Sequence, residues 1–93
     1  GDVYKRQHQH YAKLFKALSD SKRLRILEIL ANGEVCACDL LEDLELSQSG
    51  LSYHMKILVS TDLVVARQEG KWTYYQIESE GFALAKTFLD SFS

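Results

Sequence analysis

The chain has 93 residues, of which 46% are hydrophobic and 26% charged, and its formal net charge at pH 7 is −2. A chain of this size has room for one hydrophobic core, and this composition is that of a folded domain rather than a disordered segment. Its apolar runs are too short to cross a bilayer, so no membrane span is expected. The lack of proline and the small number of glycines favour helices over a turn-rich β-sandwich. The negative charge, taken alone, argues against a nucleic-acid partner.

The first seven residues differ in character from the rest. Residues 2–7 read DVYKRQ, which is similar to the in-frame translation of a transposon end used to prepare sequencing libraries. We interpret residues 1–7 as an assembly artefact and residues 8–93 as one domain whose native N-terminus is missing. The alternative is an ordinary basic N-terminal tail. No signal peptide is recognisable, and Lys5 and Arg6 are given no functional role.

Helical spacing of apolar residues predicts two helices in the first third of the chain. The first covers about residues 8–18. The second follows an N-cap at Ser19-Asp20 and ends at Asn32-Gly33, where we expect Gly33 in the left-handed C′ position.

Two further helices are predicted around a short connection at Glu45-Leu46. The third helix covers about residues 36–44. The fourth begins after the N-cap Ser47 and runs through about Ser60. The inner stripe of the fourth helix is formed by Leu51, Met55 and Leu58.

The hydrophobic period then changes to that of strands. Residues 63–68 and 72–77 are rich in Val, Tyr, Thr and Ile, and the three residues 69–71 between them predict a glycine-containing hairpin turn. A last amphipathic helix covers residues 80–92. The order α-α-α-α-β-β-α, with a helix-turn-helix followed by a hairpin, predicts a mainly α winged helix-turn-helix with a β-hairpin wing.

The fourth helix is expected to read DNA. At 100° per residue, the outward side of this helix carries hydroxyls, a phenol and a cation. These groups suit contacts with base edges and phosphates. The same residues also suit an ordinary solvent-exposed helix face. The wing adds two cations for backbone phosphates. His54, beside the inner stripe, is either a packing histidine or a phosphate donor. The predicted DNA-binding residues are Gln48, Ser49, Ser52, Tyr53, His54, Lys56, Arg67 and Lys71.

The acidic residues are concentrated away from this predicted DNA face. Residues 28–45 hold six acidic residues and no basic one, whereas residues 46–77 hold three basic residues against two acidic ones. One net positive charge per protomer predicts few phosphate contacts and a shallow dependence of DNA affinity on salt.

Four segments, in this order, resemble the ArsR/SmtB family of metal-sensing repressors. They are residues 17–30 (ALSDSKRLRILEIL), 33–44 (GEVCACDLLEDL), 46–58 (LSQSGLSYHMKIL) and 63–77 (LVVARQEGKWTYYQI). The resemblance implies a homodimer, built on the first and last helices, that represses a resistance operon on double-stranded operator DNA and leaves when an inducer binds. It implies no required cofactor and no membrane partner. The two cysteines are too close together for a stapling disulfide framework, which favours a reducing, cytoplasmic location. The sequence itself also predicts that the chain is not an enzyme, because three histidines and two close cysteines offer no nucleophile–base pair.

Cys36 and Cys38 flank one alanine, a CxC form similar to that of the arsenical-resistance repressors, and they are the predicted metal site. On an ideal helix they point about 200° apart, but at a distorted helix start they can converge. A helix N-terminus favours the thiolate, and soft thiolates suit As(III) or Sb(III) as inducer. We expect that drawing both sulfurs to one ion deforms the third helix and so links inducer to DNA.

Two alternatives to an As(III) or Sb(III) sensor stay open for the cysteines. The family members known for three-sulfur coordination have a third cysteine where this chain has Leu41, so the third ligand is unassigned. A Cd(II), Pb(II) or Zn(II) sensor of the same fold is one alternative, with His8 and His10 as candidate extra ligands. A thiol-redox repressor is another. The family's zinc site on the final helix is expected to be absent, because residues 78–93 contain no histidine.

Overall fold

A computed structural model of the chain describes residues 2–93, with side chains described from residue 4 onward. The predicted helices and hairpin are confirmed in the predicted order, and one short strand is added. No helix in this part of the chain is long and apolar enough to span a membrane. The elements are α1 Asp2–Ala17, α2 Ser21–Leu30, β1 Val35–Cys36, α3 Ala37–Leu44, α4 Gln48–Ser60, β2 Val64–Glu69, β3 Trp72–Ile77 and α5 Ser79–Asp90.

The predicted hairpin forms part of a three-stranded antiparallel sheet in the order β1-β3-β2. The added strand β1 pairs Cys36 with Tyr74, whereas the sequence placed Cys36 inside the third helix. Glu69 pairs with Trp72, so the predicted three-residue turn is wrong and the turn has two residues. Its first residue, Gly70, has φ 61°, a conformation that glycine adopts without strain and that two-residue hairpin turns require.

Side-chain caps define where the helices begin, as the sequence predicts. Asp20 Oδ1 accepts hydrogen bonds from two backbone N–H groups at the start of α2, and Ser47 Oγ accepts one from the Gly50 N–H at 3.0 Å. At the end of α3, Glu45 adopts the left-handed conformation with φ 54°, which turns the chain into α4. Gly33 has φ 130°, so the positive φ expected there is present but lies outside the left-handed helical region.

Helix α4 lies against the core through its predicted inner stripe. Leu51, Met55 and Leu58 are 4%, 1% and 0% exposed. They pack with buried residues of α1, α2, α3 and β2, which fixes the orientation of the opposite, solvent-exposed side of α4. The partners in this core include Leu14, Ile26, Leu30, Leu40, Leu63 and Val64.

The first and last helices pack together through aromatic rings. The ring of Phe88 in α5 lies 4.6 Å from that of Tyr11 and 5.7 Å from that of Phe15 in α1. Beside this cluster, Leu89 and Phe92 are 55% and 74% exposed. The α1/α5 pair thus presents apolar side chains to solvent.

A close backbone contact holds α5 against the rest of the fold. The Gly81 N–H donates to the Asp62 carbonyl oxygen at 2.8 Å. A Cβ atom at Gly81 would lie 2.5 Å from the Thr61 carbonyl oxygen, so only glycine fits here.

Candidate DNA interface and thiol site

The outward side of α4 carries the side chains that the sequence predicts as DNA contacts. Ser52, Tyr53 and Lys56 are exposed, and Tyr53 keeps 63% of its surface. Gln48 and Ser49 are exposed in the first turn, where backbone N–H groups point away from the helix end. These five residues form a polar surface at the N-terminal and middle turns of α4, the part of a recognition helix that meets base edges.

His54 does not belong to this surface. It is 8% exposed, and its Nδ1 lies 3.0 Å from Nη1 of Arg23, which is also buried. Burial holds the pKa of His54 below its ordinary value, and Asp20 opposes this shift. Of the two roles left open for His54, the geometry fits a packing histidine, because its polar partner is inside the protein.

The same Arg23 closes the C-terminal end of α1. Its Nε donates to the Ala17 carbonyl oxygen at 2.7 Å, and its Nη2 donates to that of Lys16 at 3.3 Å. Carbonyl groups at the end of a helix lack partners within the helix, and the buried guanidinium donates to both of these. The Lys16 carbonyl oxygen also accepts from the N–H and the hydroxyl of Ser19. Arg23 therefore connects α1, α2 and α4 at one point.

The two predicted wing cations have different surroundings. Lys71 is exposed at the hairpin turn, where its Nζ lies 5.1 Å from the centre of the Trp72 ring. Arg67 is paired instead with two carboxylates: its Nη2 lies 2.8 Å from Glu34 and its Nη1 lies 2.8 Å from Glu69. The ion pairs raise the pKa of Arg67 and lower that of Glu34. The expectation of Arg67 as a free cation near the wing tip therefore needs correction.

Cys36 and Cys38 lie at the junction between a strand and a helix. Cys36 is the N-cap of α3 with an extended backbone, and its Sγ accepts a hydrogen bond from the Cys38 N–H at 3.3 Å. The structure joins the two sulfur atoms as a disulfide, with the two Cα atoms 5.3 Å apart. The expected convergence at a helix start is present. Cys36 has an extended backbone just before α3, and Cys38 lies in the first turn of that helix.

The two cysteines open onto a cleft of about 300 Å³ between α3, α4 and the wing, which we call the cysteine cleft. Gln48 and Ser52 of the polar α4 surface form one side of it, and the wing turn forms another. The lining residues are Cys36, Ala37, Cys38, Leu41, Gln48, Leu51, Ser52, Lys71, Trp72, Thr73 and Tyr75.

The third ligand is not provided by the described part of the chain. Among these residues, no group of three His, Cys, Asp or Glu side chains is placed to hold a metal ion. Leu41, three residues after Cys38, lines the cysteine cleft. His8 and His10 are exposed on α1 and do not join the cysteines in such a group. Once reduced, the two cysteines would supply two thiolate ligands, and the described residues supply no third.

A second cleft, of about 270 Å³, lies on the other flank of α4, and we call it the lysine cleft. Lys13 and Lys16 of α1 face Tyr53 across it. These lysines are not among the predicted DNA contacts, because the charges of residues 28–77 carry no signal for them. Residues 8–27 hold five basic residues and one acidic residue, which is the signal that could have found them. The lining residues are Lys13, Lys16, Ala17, Arg23, Tyr53, Ile57, Ser60 and Thr61.

Comparison with known proteins places this geometry in a family. Residues 20–65 match the model for bacterial regulatory proteins of the arsR family. The chain is 49% identical over 70 residues to the arsenical resistance operon repressor of Staphylococcus aureus, covering 75% of this chain and 67% of that protein. It is 38% identical over 80 residues to a homologue of the cadmium resistance regulatory protein CadC from the same species, covering 85% and 66%.

A solved structure supports the same relationship. The homodimeric winged helix-turn-helix DNA-binding domain from Mycobacterium bovis, determined by solution NMR, superposes with a TM-score of 0.78 at 31% identity, covering 98% of this chain and 82% of that one. The relatives named above are regulators of transcription, in agreement with the prediction that the chain is not an enzyme. The chain belongs to the ArsR family of bacterial regulatory proteins and has the winged helix-turn-helix fold of that family.

Proposed function

We propose that this protein is a transcriptional repressor that leaves its operator when a thiophilic metal or metalloid, As(III) or Sb(III) above all, binds at Cys36 and Cys38. The repressor class follows from the family and from relatives named as resistance repressors. Its partner is double-stranded operator DNA in the cytoplasm. The DNA contacts are assigned to the polar surface of α4 and to Lys71 at the wing turn.

One observation carries the proposal: the cysteine cleft is lined by both the candidate sensor and the candidate reader. Cys36 and Cys38 share it with Gln48 and Ser52 of α4 and with Lys71 of the wing. A ligand held by the two sulfurs would therefore occupy space between the two elements that approach DNA. Ligand binding can therefore cause DNA release without a conformational change transmitted over a long distance through the protein.

The backbone pairing of β1 suggests how the signal is transmitted. Cys36 lies in β1 and pairs with Tyr74 of β3, so a displacement of its backbone acts on the wing. Cys38 lies in the first turn of α3, which packs against α4. Changing the protein from mostly bound to mostly free requires about 5 kcal/mol of difference in ligand affinity between the two states. We assign this difference in affinity to a movement of the wing relative to α4.

The donor set supports a soft inducer. Two thiolates at a helix N-terminus select soft, thiophilic ions over hard, oxygen-preferring ones. The relatives include both an arsenical repressor and a cadmium regulator homologue, so Cd(II), Pb(II) and Zn(II) form the second candidate group. A titration of the protein–DNA complex with each ion in turn, under reducing conditions, ranks these candidates by the concentration that releases half of the DNA.

We assign the homodimer contact to α1 and α5. These helices pair through Tyr11, Phe15 and Phe88, and the neighbouring Leu89 stays 55% exposed. The M. bovis neighbour is homodimeric. The variant Leu89→Glu is expected to sediment as a monomer while the wild type sediments as a dimer. A dimer of unchanged affinity in Leu89→Glu would contradict this assignment.

The reading surface is tested by binding to the DNA upstream of the protein's own gene. Ser52→Ala with Tyr53→Ala is expected to weaken operator binding by tenfold or more, because it removes a base-facing hydroxyl and a phenol. Dimerisation and thermal stability should stay near the wild-type values, since both side chains are exposed. Unchanged operator affinity in this double variant would exclude α4 as the reading helix.

A further inference from the structure

The positive charge of this protein lies mainly in its first two helices. Residues 8–27 carry a net charge of +4, compared with +1 for residues 46–77, which include α4 and the wing. DNA affinity depends chiefly on how many phosphates the cations of a protein neutralise. A protein with a formal charge of −2 therefore needs some of its α1 and α2 cations near the DNA if it is to bind DNA well.

Two of these cations are next to the reading surface. Lys13 and Lys16 line the lysine cleft together with Tyr53, which is the most exposed aromatic side chain of α4. Both lysines are exposed, and neither pairs with a carboxylate among residues 4–93. Ser60 adds a hydroxyl at the far end, and Ile57 provides an apolar surface for the lysine stems. The cleft is thus a cationic groove along one flank of α4.

The buried side chain of Arg23 fixes the position of this groove relative to α4. Arg23 binds the carbonyl oxygens of Lys16 and Ala17 and also contacts His54 of α4. All of these partners are held by one guanidinium that is 7% exposed. The C-terminal turn of α1 therefore keeps a constant distance from the reading helix, and Lys13 and Lys16 extend the DNA face instead of moving independently.

We propose that Lys13 and Lys16 bind backbone phosphates of the operator beside the groove that α4 reads. This inference rests on the proposed function as a DNA-binding repressor, and it adds a phosphate-binding surface from α1. The contacts carry no sequence information; they increase affinity for all DNA and hold α4 in position. The salt dependence of binding is then steeper than the single positive charge of residues 46–77 predicts.

The test measures fluorescence anisotropy of labelled upstream DNA and of an unrelated duplex at several salt concentrations. Lys13→Gln with Lys16→Gln should weaken binding to both duplexes by about tenfold or more per lysine, and the log–log salt slope should fall by about 0.9 for each lost contact. Lys13→Arg with Lys16→Arg keeps the charges and should retain the wild-type slope. Lys86→Gln removes one charge on α5 outside the lysine cleft and is the matched control for the single variant Lys16→Gln.

Each result has a defined meaning. If the wild type binds its upstream DNA and the glutamine variant has the same affinity and slope, the lysine cleft is not a phosphate site while the repressor function stands. If the wild type binds no DNA, both are overturned. Sedimentation of each variant verifies the dimer, and Lys16→Gln alone is used if the double variant is monomeric. A lowered slope in Lys16→Gln but not in Lys86→Gln supports the proposal.

Discussion

Nη1 of Arg23 lies 3.0 Å from Nδ1 of His54, and the two side chains are only 7% and 8% exposed. A guanidinium can only donate hydrogen bonds, so Nδ1 of His54 accepts and the neutral ring carries its proton on Nε2. A protonated His54 would lose this acceptor and place a second buried cation beside Arg23. The contact that joins the end of α1 to the reading helix is therefore stable only while His54 is neutral.

Acidification should destabilise the fold through this residue. Burial lowers the pKa of His54 and the cations Arg23 and Lys22 lower it further, while the carboxylate of Asp20 partly opposes them. Below about pH 6.5 the unfolded chain takes up a proton that the folded chain does not, so the free energy of unfolding falls as pH decreases. Above this pH both states are neutral at His54, and the contribution does not change.

Urea unfolding between pH 7.5 and pH 5 measures this effect. His54→Asn retains an acceptor for Arg23 and cannot titrate, so its stability should depend less on pH than that of the wild type over this range. Equal pH dependence of the two proteins would show that His54 is not the responsible group.

The wing cations should differ in their contribution to DNA binding. Lys71→Ala is expected to weaken binding to all DNA about equally and to lower the salt slope, since Lys71 is free at the turn. Arg67→Ala should have a smaller effect, because Glu34 and Glu69 already neutralise its charge. Anisotropy titrations of both variants at several salt concentrations provide the comparison. A larger loss of DNA affinity in Arg67→Ala than in Lys71→Ala would contradict this prediction. It would mean that Arg67 leaves its carboxylate partners to bind a DNA phosphate.

A third thiol should strengthen the sensor. Leu41 lines the cysteine cleft, and three residues of separation place it on the same face of α3 as Cys38. Leu41→Cys adds a soft ligand at this position, so DNA release should occur at an arsenite concentration at least about tenfold lower, equivalent to about 1.4 kcal/mol of binding free energy. Leu41→Ser controls for the loss of the leucine. An unchanged release concentration in Leu41→Cys would place the ligand elsewhere.

The contact at Gly81 should be intolerant of any side chain. A Cβ atom there would lie 2.5 Å from the Thr61 carbonyl oxygen, and backbone cannot move as readily as a side chain. Gly81→Ala should lower the free energy of unfolding by about 1–3 kcal/mol. Gly50→Ala is the matched control, since its new Cβ atom would meet side chains and no backbone: the Ser47 hydroxyl at 3.1 Å and Leu46 Cδ2 at 3.8 Å. Equal stability of the two variants in urea unfolding would contradict this view.

The sequence predicts the fold well where the signal is local. The caps Asp20 and Ser47 and the stripe of Leu51, Met55 and Leu58 are confirmed, because hydrogen bonding at helix starts and amphipathic periodicity depend on nearby residues. Strand β1 could not be predicted in this way. Its two residues form a strand only by pairing with β3, some 40 positions later in the chain.

The candidate site was predicted in part, for the same reason. The exposure of Ser52 and Tyr53 follows from helical period, but the ion pairs of Arg67 depend on Glu34, which is 33 residues away. The partner of His54 is likewise distant, 31 residues away at Arg23. The lysine cleft lies between two helices that are far apart in sequence. The only local sequence signal for it is the positive net charge of residues 8–27.

The most direct test of the proposed function is the release of operator DNA by arsenite from the wild type and from Cys36→Ser and Cys38→Ser. All three proteins, kept reduced, should bind the upstream DNA with similar affinity, because neither cysteine belongs to the assigned DNA contacts. Arsenite should release the wild type and leave both variants bound. Release of either variant at the wild-type arsenite concentration would contradict metalloid sensing by this pair of thiols.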